Sequence, residues 1–420
     1  MYHHLPRSGL NRLILGFLFT SIMMMLYCFS TPAFQTNTPR FPVLAPCANK
    51  TPPWQKKKAS FSTSKVEHCV PKVNLMFLKT HKAASSTILN ILLRYGEKNG
   101  LKFALPIGRN DFSYPATFMR MHVKDYRPGA CFNIICNHMR FNAPEVEALL
   151  PDDAFFFTIL RDPALVFESS FHYYKRVVPL IWRIHGEDKL TDFLNDPQLH
   201  FDTNGFNSFY LKNLHFFDLG FDNKLGPEDP IVDSAIRAIA ERFQLVLIAE
   251  HFEESLILLK DALCWQIDDL LFFSMNTRRP TSVFQLTPEM RAKAREWNGV
   301  DWKLYCYFNA TFWAKVDAYG RKRMEKEVQM LRQRNSEMAA ICISGGMAVE
   351  DQDIRDQSMR PWQPVGERSI LGYNIKSNIE QKYRELCRKM LMPEIQYLTD
   401  LGVNLWITRL WGWFKAFLTL

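Results

Sequence analysis

From Lys72 onward, short β-branched or aromatic runs alternate with stretches of helical period, and no internal repeat interrupts them. That alternation predicts an α/β fold with a mainly parallel sheet flanked by helices. The strand-like runs are residues 73–78, 131–136, 154–160 and 245–249. Each gives way to polar or turn-forming residues. Ile88, Ile91, Leu92 and Tyr95 share one helical face, as do Phe167, Phe171 and Tyr174, while residues 252–263 continue the last strand as a helix. Ligands of such sheets collect at the carboxyl ends of the strands, so the chemistry is expected in the segments just after them.

The pattern before Lys72 is different. Residues 13–29 form an uncharged apolar run of 17, roughly 25 Å long as a helix, which suits a thin bilayer. Arg7 and Arg12 precede it and Arg40 is the next cation, which predicts a cytosolic N-terminus and a lumenal remainder. A cleaved signal peptide is the alternative, although no convincing small-residue cleavage site follows. Residues 30–71 are rich in Pro, Thr, Ser and Lys without apolar period and read as a stem. The expected organisation is a cytosolic tail over 1–12, an N-terminal transmembrane helix over 13–29, a stem over 30–71, a catalytic domain over 72–400 and an aromatic segment over 401–420. In that last segment Trp406, Trp411, Trp413, Phe414 and Phe417 interleave with Arg409 and Lys415. Core packing and a membrane interface both account for it.

Two segments carry candidate chemistry. The first is Lys79-Thr80-His81-Lys82-Ala83-Ala84-Ser85-Ser86-Thr87, between a buried strand and an amphipathic helix. Free N–H groups at a helix start, with two lysines beside them, make a cradle for a phosphate-like anion. Ordinary capping by Ser85 or Ser86 is the structural alternative. The Gly-Lys-Ser/Thr signature of nucleotide triphosphatases is absent, which disfavours magnesium-dependent phosphoryl transfer. The second segment is Arg161-Asp162-Pro163, with Ser169 two turns further on. Asp162 and Pro163 suit a helix start, whereas Arg161 offers a planar fork for a terminal phosphate and Ser169 a hydroxyl for the same group.

Phe77-Leu78-Lys79-Thr80-His81-Lys82 with Ala84-Ser85-Ser86-Thr87 resembles the 5′-phosphosulfate loop of the galactose-3-O-sulfotransferase family, and Arg161-Asp162-Pro163 with Ser169 resembles its 3′-phosphate motif. The likeness extends through Asn137-His138-Met139-Arg140-Phe141, Phe216-Phe217-Asp218-Leu219-Gly220 and Pro393-Glu394-Ile395-Gln396-Tyr397-Leu398. Ala83 departs from it, since the family loop usually carries Thr there. The resemblance implies a P-loop-like sulfotransferase fold and 3′-phosphoadenylyl sulfate (PAPS) as co-substrate, with no metal expected. It implies a cofactor site of Lys79, Thr80, Lys82, Ala84, Ser85, Ser86, Thr87, Arg161 and Ser169. The implied acceptor is galactosylceramide or another galactose-terminated glycolipid, with glycoprotein galactose as the alternative. Lys82 would neutralise the departing oxygen, and His138 is the candidate general base, with His81, His122, His172 and Glu168 also near the expected site. A carbohydrate-binding protein that kept the fold without the chemistry is the remaining class.

Charge and cysteine content refine this picture only slightly. A formal charge of +9 favours an anionic partner without choosing one, and the dispersed cations form no nucleic-acid-binding module. Nine cysteines, with Cys28 inside the expected anchor, leave an even number for a lumenal domain where disulfides form. Asn49 and Asn309 open glycosylation sequons, which matter only with that topology. The expected location is the Golgi membrane, type II and single-pass. Disulfide pairing and a homodimer stay open.

Overall fold

In the computed structural model, the described residues are 69–408 and Leu410. The expected anchor and tail, most of the stem, Asn49 and the last aromatic residues lie outside them. Five strands, β1 (Leu75–Leu78), β2 (Phe103–Ala104), β3 (Ile134–Ile135), β4 (Phe155–Leu160) and β5 (Leu245–Ile248), build one sheet in the order β2-β3-β1-β4-β5. Every neighbouring pair is parallel. All residues of β1, β4 and β5 are buried, which is why these strands read as unbroken apolar runs.

The sequence pattern misses β2, whose two residues are too few to show a period. The expected strand over 131–136 shrinks to Ile134–Ile135, because the Phe132 N–H turns out of the ladder to the Leu149 carbonyl. Among the described residues no helix is long and apolar enough to cross a membrane.

The helices that matter for the site are α1 (Ser85–Lys98), α2 (Pro163–Tyr174), α3 (Leu214–Asp218), α4 (Phe252–Leu263), α5 (Pro288–Trp297), α6 (Gly299–Tyr319), α7 (Arg321–Cys342), α8 (Gln381–Leu391) and α9 (Glu394–Asp400). The first of these runs from the end of β1 and is buried along nearly its whole length. Its polar residues are satisfied inside: Asn90 donates to the Lys389 carbonyl at 2.9 Å, and Arg94 donates to Asn90 at 2.9 Å and to the Leu271 carbonyl. Gly96 is required by the approach of β2, since a Cβ there would fall 2.2 Å from the Phe103 ring. Disulfides join Cys69 to Cys264 and Cys342 to Cys387, tying the first described residue to the end of α4, and α7 to α8. Bridges of this kind persist in oxidising compartments. Asn309 lies half-buried within α6, with its amide oxygen in the interior, and not in the exposed loop that a sequon usually marks.

The central strand is β1, with β3 on one side and β4 on the other. The chain crosses there from one half of the sheet to the other, and ligands of open parallel sheets bind in the crevice outside the strand ends at such a switch point. Lys79 to Lys82 leave β1, Asn137 and His138 lie just beyond β3, and Arg161 leaves β4.

Candidate active site

The segment after β1 owes its shape to two left-handed residues. Lys82 has φ of 60° and Ala84 has φ of 59°, conformations that cost a non-glycine residue roughly 1 kcal/mol or more each. Alternation of handedness turns successive N–H groups inward as an anion nest. Ala84 is the N-cap of α1 and gives no side-chain cap, so the helix start keeps open donors. Capping by Ser85 or Ser86, the structural alternative, is not what is found. Ser85 Oγ instead donates to the Thr80 carbonyl at 2.6 Å, and Thr80 Oγ1 donates to the Ile159 carbonyl at 2.5 Å, fastening the loop to itself and to β4. Thr87 accepts from the Met275 N–H, and Ser86 accepts from Asn276.

The two lysines of this loop part company. Lys79 is buried and ion-paired with Glu394 at the start of α9, 2.7 Å away, so its charge is spent on the protein and not offered to a ligand. Lys82 is half-buried, with its ammonium 3.6 Å from the Tyr173 ring centroid. Desolvation, reinforced by the charges of Arg278 and Arg161, lowers its pKa to about 7. Arg161 donates to the Lys82 carbonyl at 3.0 Å, which brings the two expected anion-binding segments into direct contact. Its own pKa is also lowered, first by burial. Ser169 is buried one face along α2. Arg278, unmarked in the sequence reading, completes the cationic group and is held bidentately by Glu168. Three cations thus lie close together, with Glu168 paired to Arg278 and Glu250 acting on Arg161, and an anionic ligand beside Lys82 would relieve their mutual repulsion.

Facing them are two imidazoles stacked at 4.0 Å, His81 and His138. His138 Nδ1 lies 2.8 Å from the Lys79 carbonyl. A carbonyl only accepts, so this nitrogen carries the proton and Nε2 keeps the lone pair in the neutral ring. Burial, then the charges of Lys79 and His81, hold the His138 pKa well below the ordinary histidine range. His81 donates both its backbone N–H and Nδ1 to Asp218 at the end of α3, which also accepts from Tyr114 Oη at 2.7 Å. Tyr174 and Tyr210 stack at 3.7 Å beside this network.

His215 joins the network through Nε2, 3.0 Å from the His81 carbonyl, whereas His122, His172 and Glu168 are engaged elsewhere. His172 meets Glu367 at 2.7 Å, His122 Nδ1 accepts weakly from Met119, and Glu168 is locked by Arg278 and by the Phe284 N–H. Among the described residues no group of His, Cys, Asp or Glu side chains is placed to hold a metal ion. Of the residues expected at the site, Arg161 meets Lys82 and His138 lies near both loop lysines, whereas Lys79, Thr80, Ser85, Ser86 and Thr87 are engaged by the protein, Ala84 is exposed at the start of α1 and Ser169 is buried within α2. Arg278, Asp218, Tyr114 and Glu394 were not assigned a role from sequence. Asp218 and Glu394 do fall within the family-like runs, and their charge inside otherwise apolar stretches was the available signal.

A family model described as galactose-3-O-sulfotransferase matches residues 4–405. Galactosylceramide sulfotransferase of Homo sapiens is 52% identical over 406 residues, covering 97% of this chain and 96% of the relative. The Mus musculus protein of that name is 50% identical over 418 residues, covering 98% and 97%. Galactose-3-O-sulfotransferase 2 of Sus scrofa is 43% identical over 337 residues, covering 79% and 84%. With a family match over residues 4–405 and relatives about half identical over nearly the full length, this chain belongs to the galactose-3-O-sulfotransferase family.

Proposed function

We propose that the chain transfers the sulfuryl group of PAPS to the 3-hydroxyl of a β-linked galactose on galactosylceramide and related galactolipids. The contact of Arg161 with the Lys82 carbonyl carries this reading, because it brings the two expected anion-binding segments side by side. The names of the most similar relatives support the lipid acceptor. PAPS, when bound, supplies an activated sulfuryl group on a phosphate leaving group. Lys82 offsets the charge that grows on the bridging oxygen as the S–O bond breaks, and Arg161 with Ser169 grips the 3′-phosphate. His138 Nε2 takes the proton of the galactose hydroxyl as its oxygen bonds to sulfur, and the electron pair leaves with adenosine 3′,5′-bisphosphate. Its depressed pKa keeps the ring neutral at neutral pH, with the Nε2 lone pair unprotonated before the hydroxyl arrives.

His81 is a second reading for the base, favoured by the Asp218 carboxylate that orients its ring. Glycoprotein galactose is the second acceptor class, compatible with relatives named galactose-3-O-sulfotransferase 2, a name that specifies galactose and no lipid. The same reading places the protein in the Golgi membrane with its catalytic part lumenal, supported by Arg7 and Arg12 ahead of the apolar run and by the two disulfides. The test is incubation of the protein with labelled PAPS, galactosylceramide, lactosylceramide and galactose-terminated glycans, with the product linkage mapped. Label on the galactose 3-position of the glycolipid is expected. Transfer to none of the panel rejects the proposal.

A further inference from the structure

A second feature of the acceptor side is an apolar surface beside the site. The chain segment 105–112 begins at half-buried Leu105 and ends at buried Phe112, whose N–H donates to the His138 carbonyl at 2.8 Å. Near its start, Pro106 bridges Val123 in antiparallel register, and the Lys124 N–H reaches the Leu105 carbonyl. The turn Arg120–His122, which carries Met121, leads directly into Val123 and so lies beside this segment. On the other flank, the N–H groups of Ile407 and Thr408 both point to the Gly108 carbonyl. Packing is tight enough that a Cβ at Gly108 would fall 2.9 Å from Ile407 and 3.0 Å from the Trp406 indole. Three segments distant in sequence therefore meet at one edge, and each brings exposed apolar side chains: Ile107 (50% exposed), Met119 and Met121 (44% and 50%) and Trp406 (49%). Large side chains exposed together in this way mark an interaction surface.

Its distance from the chemistry is short. Gly108 and Phe112 are four residues apart, at most about 14 Å of chain, so the patch flanks the wall that carries His138. We propose that Ile107, Met119, Met121 and Trp406 dock the site mouth onto the lipid leaflet that holds the acceptor.

This rests on the galactolipid reading, and the acceptor's own chemistry identifies the occupant. A two-chain lipid presents its galactose at the water boundary, and drawing it out costs about fourfold in equilibrium for each methylene brought into water. The enzyme must meet the sugar while the chains stay in the leaflet, so apolar side chains belong beside the acceptor entrance. The sequence continues from this edge as Trp411-Gly412-Trp413-Phe414-Lys415-Ala416-Phe417, the aromatic and cationic composition of an interfacial segment.

The test compares two acceptors for the full chain and for the triple variant Ile107→Ser/Met121→Ser/Trp406→Ser, none of whose positions touches the chemistry. Galactosylceramide in phosphatidylcholine vesicles and a water-soluble galactoside are each assayed with PAPS. For the variant, KM with vesicle acceptor is expected to rise roughly tenfold or more, since three apolar contacts are lost, while kcat/KM for the soluble galactoside stays within about twofold. Equal values of the vesicle-to-soluble ratio in both proteins overturn docking. So does a parallel loss on both acceptors, which marks the patch as structural or as covered by residues 411–420. Light scattering addresses a second copy: a dimer in the parent and a monomer in the variant, with the ratio unchanged, also overturns it. Failure of the parent to sulfate either acceptor rejects the function itself, a distinct outcome.

Discussion

The two walls of the crevice are built on opposite principles. On the donor wall Lys82, Arg161 and Arg278 bring positive charge together, and the backbone around Lys82 and Ala84 is held in left-handed conformations with open helix N–H groups. On the acceptor wall the polar groups satisfy one another: His81 and Tyr114 end on Asp218, and His138 ends on the Lys79 carbonyl. The first wall is completed by its ligand. The second is complete before any ligand arrives, which is what positioning a hydroxyl for in-line attack requires.

Replacing one residue on each wall puts that difference to its strongest test. Lys82→Ala removes the cation expected to meet the leaving oxygen, and turnover should fall by about 10³ or more, with weakened binding of adenosine 3′,5′-bisphosphate and little change in thermal stability. His138→Ala should lower turnover by about 10² to 10⁴ and leave nucleotide affinity unaltered. Steady-state kinetics with calorimetric titration of the nucleotide separates the two. An active Lys82→Ala protein removes the donor assignment, and near-normal turnover of His138→Ala hands the base role to His81.

A smaller effect is expected at Lys79, which shares the loop with Lys82 but belongs to the fold. Its pair with Glu394 is nearly closed to water, with side chains 1% and 11% exposed. Glu394→Gln leaves a buried ammonium without its partner, a change that costs about 3 to 5 kcal/mol in such settings. The double variant Lys79→Met/Glu394→Leu should recover most of the stability, because neither member is left charged and alone. Denaturant unfolding of the three proteins measures this. If Glu394→Gln instead abolished nucleotide binding at full stability, Lys79 would rejoin the donor wall.

How far the sequence discloses each wall follows from the range of the contacts. Lys82, Ala84 and the start of α1 are neighbours along the chain, and Arg161 repeats the strand-to-helix context, so local pattern was enough to place them. The contacts that hold both walls in place depend on remote partners. Asp218 lies 137 positions from His81, Glu394 lies 315 from Lys79, and Arg278 lies 110 from Glu168. No period or spacing encodes pairs that far apart, because the sheet order and the return of α9 across α1 bring them together. His138 was legible as a strand exit, but the tautomer that leaves Nε2 free follows only from the Lys79 carbonyl. The same limit explains β2, which exists as a strand only because β3 is there to pair with it.

The smallest expected effect concerns protons on the donor wall. In the free protein, burial and the flanking arginines lower the Lys82 pKa to about 7. A phosphate or sulfuryl oxygen beside the ammonium must raise it again, since an opposite charge favours the protonated form. Binding above pH 7 therefore draws a proton onto Lys82, and affinity for adenosine 3′,5′-bisphosphate falls as pH rises, by at most about tenfold per unit, until the bound-state pKa is reached. Below pH 7 the sign changes, because Lys82 is already charged while the nucleotide's phosphates begin to take up protons near pH 6. Titrations in buffers of differing ionisation enthalpy should show uptake approaching one proton near pH 8. Lys82→Arg keeps its charge throughout and should bind with flat affinity from pH 7 to pH 9. Parent protein that is equally flat over that range would mean that Lys82 is already fully charged in the empty site, and that the crowding of cations there is weaker than its neighbours imply.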